Sequence, residues 1–183
     1  LNLEIDSLAS DQISIMDIDH LSSSIGLMNW HDPTLWNIGK FPFSLKFTPI
    51  YATYICRILA SELGKSRRCL ILDLDNTLWG GVIGDDGLEG ILLGNGNATG
   101  EAFVHIQRTA LELFKRGVVL AVSSKNEDKN AREPFKEHPD MVLKENHIAI
   151  FQANWSDKAS NIKAIAHSLS LGLDSLVFLD DNP

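Results

Sequence analysis

Two aspartates two residues apart, Asp73 and Asp75, follow an apolar run at Cys69 to Leu72, and a second acidic pair, Asp180 and Asp181, follows another at Leu176 to Leu179. Period-two alternation sends Asp73 and Asp75 from the same face of a chain end, with Leu74 facing the other way. Four carboxylates sharing one cleft repel one another, and such crowding pushes several pKa values up unless a cation neutralises them. Hard oxygen ligands with room for phosphate oxygens favour Mg²⁺ over zinc. Lys158 brings a fixed positive charge and Ser124 a hydroxyl, both suited to holding a phosphoryl group.

For these residues to meet, the elements between them must converge. Short apolar runs predict strands at Cys69 to Leu72, Val118 to Val122, Ile148 to Phe151 and Leu176 to Leu179. Helices are predicted at Glu101 to Arg116, Glu127 to Glu137 and Asp157 to Leu169, the first capped by Thr99 and the third by Ser156. This alternation predicts an α/β fold, a Rossmann-like parallel sheet with helices on both faces, whose ligand crevice lies at the carboxyl ends of the strands. There the polar residues fall: Asp73, Asp75 and Thr77; Ser123, Ser124 and Lys125; Gln152 and Asn154; Asp180 and Asp181. A response-regulator receiver places its acidic pair after the first strand and its phospho-acceptor after the third, the reverse of the order here. The stretch from Gly80 to Gly100 holds eight of the 13 glycines and is expected to be a turn-rich excursion beside the first strand.

Residues 1–66 differ in character. A strand is expected at Ile13 to Asp19 and a helix at Thr48 to Leu63, the latter burying Tyr51, Tyr54, Ile55, Ile58 and Leu59 along one face. Trp30, Trp36, Phe41 and Phe43 are expected to form a small core or an interface. The basic segment from Lys65 to Arg68 reads as a hinge, giving an appendage at 1–66 and a catalytic unit at 67–183. Position 1 is Leu, and the chain stops at LDDNP directly after a core strand, so a segment of a longer polypeptide, truncated at the C-terminus, is expected.

The 183 residues carry 16 Lys+Arg against 24 Asp+Glu, a net charge of -8, which removes the nonspecific attraction that nucleic-acid binders rely on. No run of roughly 20 apolar residues offers a membrane span, and the first residues lack the features of a signal peptide. A cytoplasmic protein is expected. Cys56 and Cys69 read as two buried, reduced thiols, and the six histidines lack the spacing of zinc ligands.

At the polar residues a resemblance becomes specific. Asp73-Leu74-Asp75-Asn76-Thr77 resembles the DxDxT signature of the haloacid dehalogenase superfamily, Ser124 suits its second motif, Lys158 its third and Asp180-Asp181 its fourth. More narrowly, LDLDNTLWGGVIGDDG, SKN, NWSDKASNI and GLDSLVFLDDNP resemble the FkbH-like branch, subfamily IIIC. Its members dephosphorylate 1,3-bisphosphoglycerate and load a glyceryl unit onto an acyl carrier protein in polyketide biosynthesis, or occur as phosphatase-like proteins. The resemblance implies Asp73 as nucleophile and Asp75 as general acid and base. Mg²⁺ would be held by Asp73, the main-chain carbonyl of Asp75 and Asp180, supported by Asp181. Thr77, Ser124 and Lys158 would bind phosphate, Lys158 also stabilising the nucleophile. It further implies a phosphorylated small-molecule substrate, a small flap in place of a large cap, and residues 1–66 as the end of a preceding SGNH-like region. In glyceryl-transfer relatives a cysteine often precedes the second-motif serine; here that position is Ser123. A general small-molecule phosphatase and a catalytically idle interaction module are the alternatives.

Overall fold

The computed structural model describes residues 4–5, 7–10 and 13–182, which divide into two units, Leu1–Ser66 and Arg67–Pro183.

In the first unit the expected strand at Ile13 to Asp19 does not form. Ile13 makes a single antiparallel bridge to Ser10, and helix α1 (Ile18–Ile25) begins instead, because the Asp17 carboxylate accepts the amide of His20 at 2.8 Å. Two short helices follow, α2 (Leu27–Trp30) and α3 (Pro33–Gly39), the latter started by the Asp32 side chain with Pro33 in the first turn. Helix α4 (Thr48–Glu62) lies where periodicity placed it. Tyr51, Tyr54, Ile55 and Ile58 on it are only half-buried, and Leu59 is exposed, contrary to the expected buried face. The core here is aromatic: Trp30 is buried, stacking on Phe43 at 4.7 Å and on Phe47 at 5.9 Å. Trp36 and Phe41 stay exposed, outside it.

In the second unit four strands, β1 (Cys69–Leu72), β2 (Val119–Ser124), β3 (Ile148–Ala153) and β4 (Leu176–Leu179), form a parallel sheet in the order β3-β2-β1-β4. Alternate residues serve opposite faces. Cys69 and Ile71 pack with Ala121 and Ile165 against helix α8 (Lys158–Leu169). Leu72, Leu120 and Val122 face Ala110 of α6 (Ala98–Lys115) and Ala131 and Phe135 of α7 (Asp128–Glu137). The sheet is covered on both sides at its centre, β1 and β2, while Val177 and Leu179 of the edge strand β4 stay exposed.

Three details differ from the sequence reading. The side chain that caps α6 is Asn97, not Thr99, and the one that caps α8 is Asp157, not Ser156; each accepts the amide three residues on. The glycine-rich excursion carries a helix, α5 (Ile83–Gly90), and closes by an antiparallel bridge between Gly80 and Leu92. Gly81 makes the entry possible: its φ is +94°, and a Cβ there would stand 2.6 Å from an Asp86 oxygen. Cys69 is buried, and burial pushes its thiol up to about 11, whereas Cys56 is exposed.

One buried amide ties this unit together. Gln107 on α6 donates Nε2–H to the carbonyl of Leu78 at 2.8 Å, and its Oε1 accepts the amides of Val142 at 2.9 Å and Leu143 at 3.2 Å. Gln107→Leu keeps the volume and strands these backbone groups without partners. It should lower unfolding stability by about 3 kcal/mol, read as a fall in the denaturant midpoint at unchanged slope.

Candidate active site

The register of the sheet places the polar residues. Leu72 pairs with Leu179 on one side and with Val122 on the other, so the residues just beyond are Asp73, Asp180 and Ser123. The amide of Asp73 donates to the Leu179 carbonyl at 3.0 Å, holding β1 and β4 together at their ends. Because Cys69 and Ile71 face α8, Asp73 turns the same way. It meets Lys158, the first residue of α8: Lys158 Nζ stands 2.8 Å from Asp73 Oδ2 and 2.8 Å from both oxygens of Asp180.

A cation in the first turn opposes the helix dipole, and here two carboxylates outweigh that cost. Burial pushes the Asp73 carboxyl above the ordinary carboxylate range, against the pull of hydrogen bonds from Lys158 and Ser124. Burial acts on Asp180 as well, but the Lys158 hydrogen bond prevails and holds it below that range. Lys158 loses hydration yet gains more from its two partners, so its ammonium is held above the usual lysine value.

Asp73, Asp180 and Asp181 each offer an oxygen within 4.8 Å of the others, a group that could hold a metal ion. Lys158 neutralises one of three carboxylates. The remaining charge and the buried Asp73 Oδ1, which has no hydrogen-bond partner, fit a divalent cation with oxygen ligands. A cleft of about 190 Å³ opens beside them, lined by Asn76, Thr77, Ile106, Leu179, Asp180 and Asp181. The hydroxyls of Thr77 and Ser123 are buried without partners, and Ser124 is buried at the end of β2.

Asp75 does not join the other three carboxylates. The chain turns sharply after it, with Asn76 in the left-handed region (φ 53°) and the Thr77 and Leu78 amides both returning to the Leu74 carbonyl. Asp75 Oδ1 accepts the indole N–H of Trp79 at 3.0 Å and the amide of Ile83 at 3.0 Å; Oδ2 accepts Asn126 Nδ2 at 2.7 Å. Thus two aspartates, two residues apart, have separate environments: one in an ionic cluster, the other among neutral donors. Sequence reasoning left Asn126 without a role and read Trp79 as packing the flap, not as a donor to Asp75. The signal was present in SKN, which ends on Asn126, and in the Trp that follows the DxDxT segment. Gln152 and Asn154 lie at the end of β3, where Asn154 exchanges amide hydrogen bonds with Asn161 of α8 at 3.2 and 3.1 Å. They brace the start of α8. The larger cavity, 520 Å³ among Trp30, Met28 and Pro33 in the first unit, is apolar and holds no such cluster.

The four-stranded parallel sheet flanked by helices is a Rossmann-like fold of the haloacid dehalogenase type. The chain is similar to the crystal structure of the N-terminal part of the protein BF1531 from Bacteroides fragilis, which contains a phosphatase domain and is complexed with Mg, at 43% sequence identity and a TM-score of 0.89. The match covers 100% of this chain and 48% of that one, so the chain spans about half the length of that structure. No family model and no curated protein matches the chain. Among the described residues no helix is long and apolar enough to cross a membrane.

If the carboxylate trio holds the metal, Mg²⁺ at a hundredfold its Kd should raise the melting temperature by an amount equivalent to about 2.7 kcal/mol. Asp73→Asn and Asp180→Asn should lose most of that metal-dependent shift. Asp75→Asn, whose carboxylate stands outside the trio, should keep it. Differential scanning fluorimetry over a Mg²⁺ titration reads all four proteins.

Proposed function

We propose that this chain is a Mg²⁺-dependent phosphatase that works through a phosphoryl-aspartate at Asp73. The observation that carries this is the state of Asp73: buried, with one oxygen held by Lys158 and the other without a partner, beside two more carboxylates. The likeness to a phosphatase domain crystallised with Mg supports it. Mg²⁺ would be held by Asp73, Asp180 and Asp181 with the main-chain carbonyl of Asp75, and would supply positive charge to the phosphoryl oxygens.

In the first half-reaction an Asp73 oxygen bonds to phosphorus as the bond to the leaving oxygen breaks, and Asp75 gives that oxygen its proton. In the second, Asp75 takes a proton from water, whose oxygen displaces Asp73 from phosphorus. The sum is phosphate ester plus water giving alcohol plus phosphate. Splitting one displacement into two lowers each barrier. Lys158 keeps Asp73 oriented and offsets charge on the transferring group, while the Thr77 and Ser124 hydroxyls donate to its oxygens.

For the substrate we favour a phosphorylated three-carbon acid delivered with an acyl carrier protein, as in the FkbH-like branch that the motifs resemble. The segment from Gly80 to Gly100 after β1, with its one short helix closed by the Gly80–Leu92 bridge, is in keeping with the small flap that the resemblance implies. Ser123, not cysteine, precedes Ser124, so the carrier's own thiol would attack the acyl-phosphate carbonyl of 1,3-bisphosphoglycerate, the C–O bond breaking and phosphate leaving, while Asp73 removes the phosphoryl group of the remaining ester. On the same resemblance, residues 1–66 would be the end of a preceding SGNH-like region.

Turnover should be compared on 1,3-bisphosphoglycerate, with and without candidate carrier proteins, and on a panel of sugar and nucleotide phosphates. Carrier acylation is followed by mass spectrometry. The reading predicts fastest turnover of the three-carbon acid and an acylated carrier. Faster hydrolysis of the panel with no acylation leaves a general phosphatase, and no turnover of any ester leaves an interaction module. Asp73→Asn should abolish turnover, by at least about a thousandfold, because the amide keeps the shape and loses the nucleophilic oxygen.

A further inference from the structure

We infer that Asn126 and Trp79 are positioning residues for Asp75, and that together they make Oδ2 the oxygen that carries its transferable proton. The inference rests on the assignment of Asp75 as general acid. Each carboxyl oxygen has two lone pairs. Both on Oδ1 are used, by Trp79 Nε1 at 3.0 Å and the Ile83 amide at 3.0 Å, so a proton there would displace a donor. Oδ2 accepts one hydrogen bond, from Asn126 at 2.7 Å, and keeps a lone pair for the proton.

The donors themselves cannot readily turn away. Trp79 is fully buried and packs edge-on against Phe135 at 6.2 Å between ring centres. Asn126 is buried, and its Nδ2 spends one hydrogen on Asp75 and the other on Ser124 Oγ at 3.2 Å. Flipping its amide would put a carbonyl oxygen against the carboxyl group and lose both bonds. Ile83 is the first residue of α5, so the same carboxyl group also anchors the start of that helix. The acid is therefore held from three directions: the β1 end, the loop after β2 and the start of α5.

A misaligned acid matters most where the leaving oxygen most needs its proton. Trp79→Phe keeps the aromatic packing and removes one donor; Asn126→Ala removes the other. For each, kcat/KM is measured on p-nitrophenyl phosphate, whose leaving group departs readily, and on an alkyl phosphate, whose leaving group does not. Asp75→Asn is measured alongside, and circular dichroism checks that each variant is folded. The positioning role predicts that both variants lose about tenfold more on the alkyl ester than on the nitrophenyl ester, in the same direction as Asp75→Asn. Equal losses on the two esters in the folded variants, while Asp75→Asn discriminates, overturn this inference alone. If Asp75→Asn does not discriminate, the acid assignment falls and this inference with it. Should one variant fail to fold, the other decides.

Discussion

The ionic cluster of Asp73, Lys158 and Asp180 is the constraint from which the rest of the catalytic unit follows. A carboxylate buried at the end of β1 is costly unless a cation meets it. That cation must come from an element on the same face of the sheet, which fixes where α8 begins: Lys158 is its first residue, and Asp157 its cap. The second carboxylate must come from the adjacent strand, which the Leu72–Leu179 register supplies through Asp180. The pairing leaves an unbalanced negative charge and an unpartnered Asp73 oxygen. A cluster this incomplete is better suited to receiving a cation and a phosphoryl group than to stabilising a fold.

The two aspartates of the DxD segment divide the work through their surroundings. Asp73 faces α8 and charged neighbours, while the turn at Asn76 carries the chain round so that Asp75 meets an indole, an amide N–H and an asparagine. A nucleophile benefits from a neighbouring cation, and an acid–base group from donors that hold it in place. Attachment of Ile83 to Asp75 ties the start of α5 to the same group.

Much of this was legible in the sequence, for identifiable reasons. Strands β1 and β4 were placed at their observed limits because unbroken apolar runs bounded by acidic residues have no other economical reading in a covered parallel sheet. The convergence of Asp73, Ser124 and Asp180 was read from strand ends, and Lys158 from its place at a helix start between the motifs that the sequence resembles. The caps were misplaced by one or two residues, since Asn97 and Thr99, or Ser156 and Asp157, are all competent acceptors and only the local dihedrals choose. The strand expected at Ile13 failed because the Asp17 cap, a local signal, won over the apolar residues Ile13, Ile15, Met16 and Ile18. Gln107 and Asn126 stayed unread, and Trp79 was read only as packing, because a polar group on a buried side chain declares its partner only when the chain is folded round it.

The central claim, that Asp73 becomes covalently phosphorylated, is tested most directly by mass spectrometry of the protein acid-quenched during turnover with Mg²⁺ and a phosphate ester. The account predicts a base-labile phosphoryl adduct on the peptide that bears Asp73, strengthened in Asp75→Asn when the ester is p-nitrophenyl phosphate, whose leaving group needs no acid while the water-activating base is lost. An adduct on Ser123 or Ser124, or steady turnover with no adduct on any residue, would contradict it.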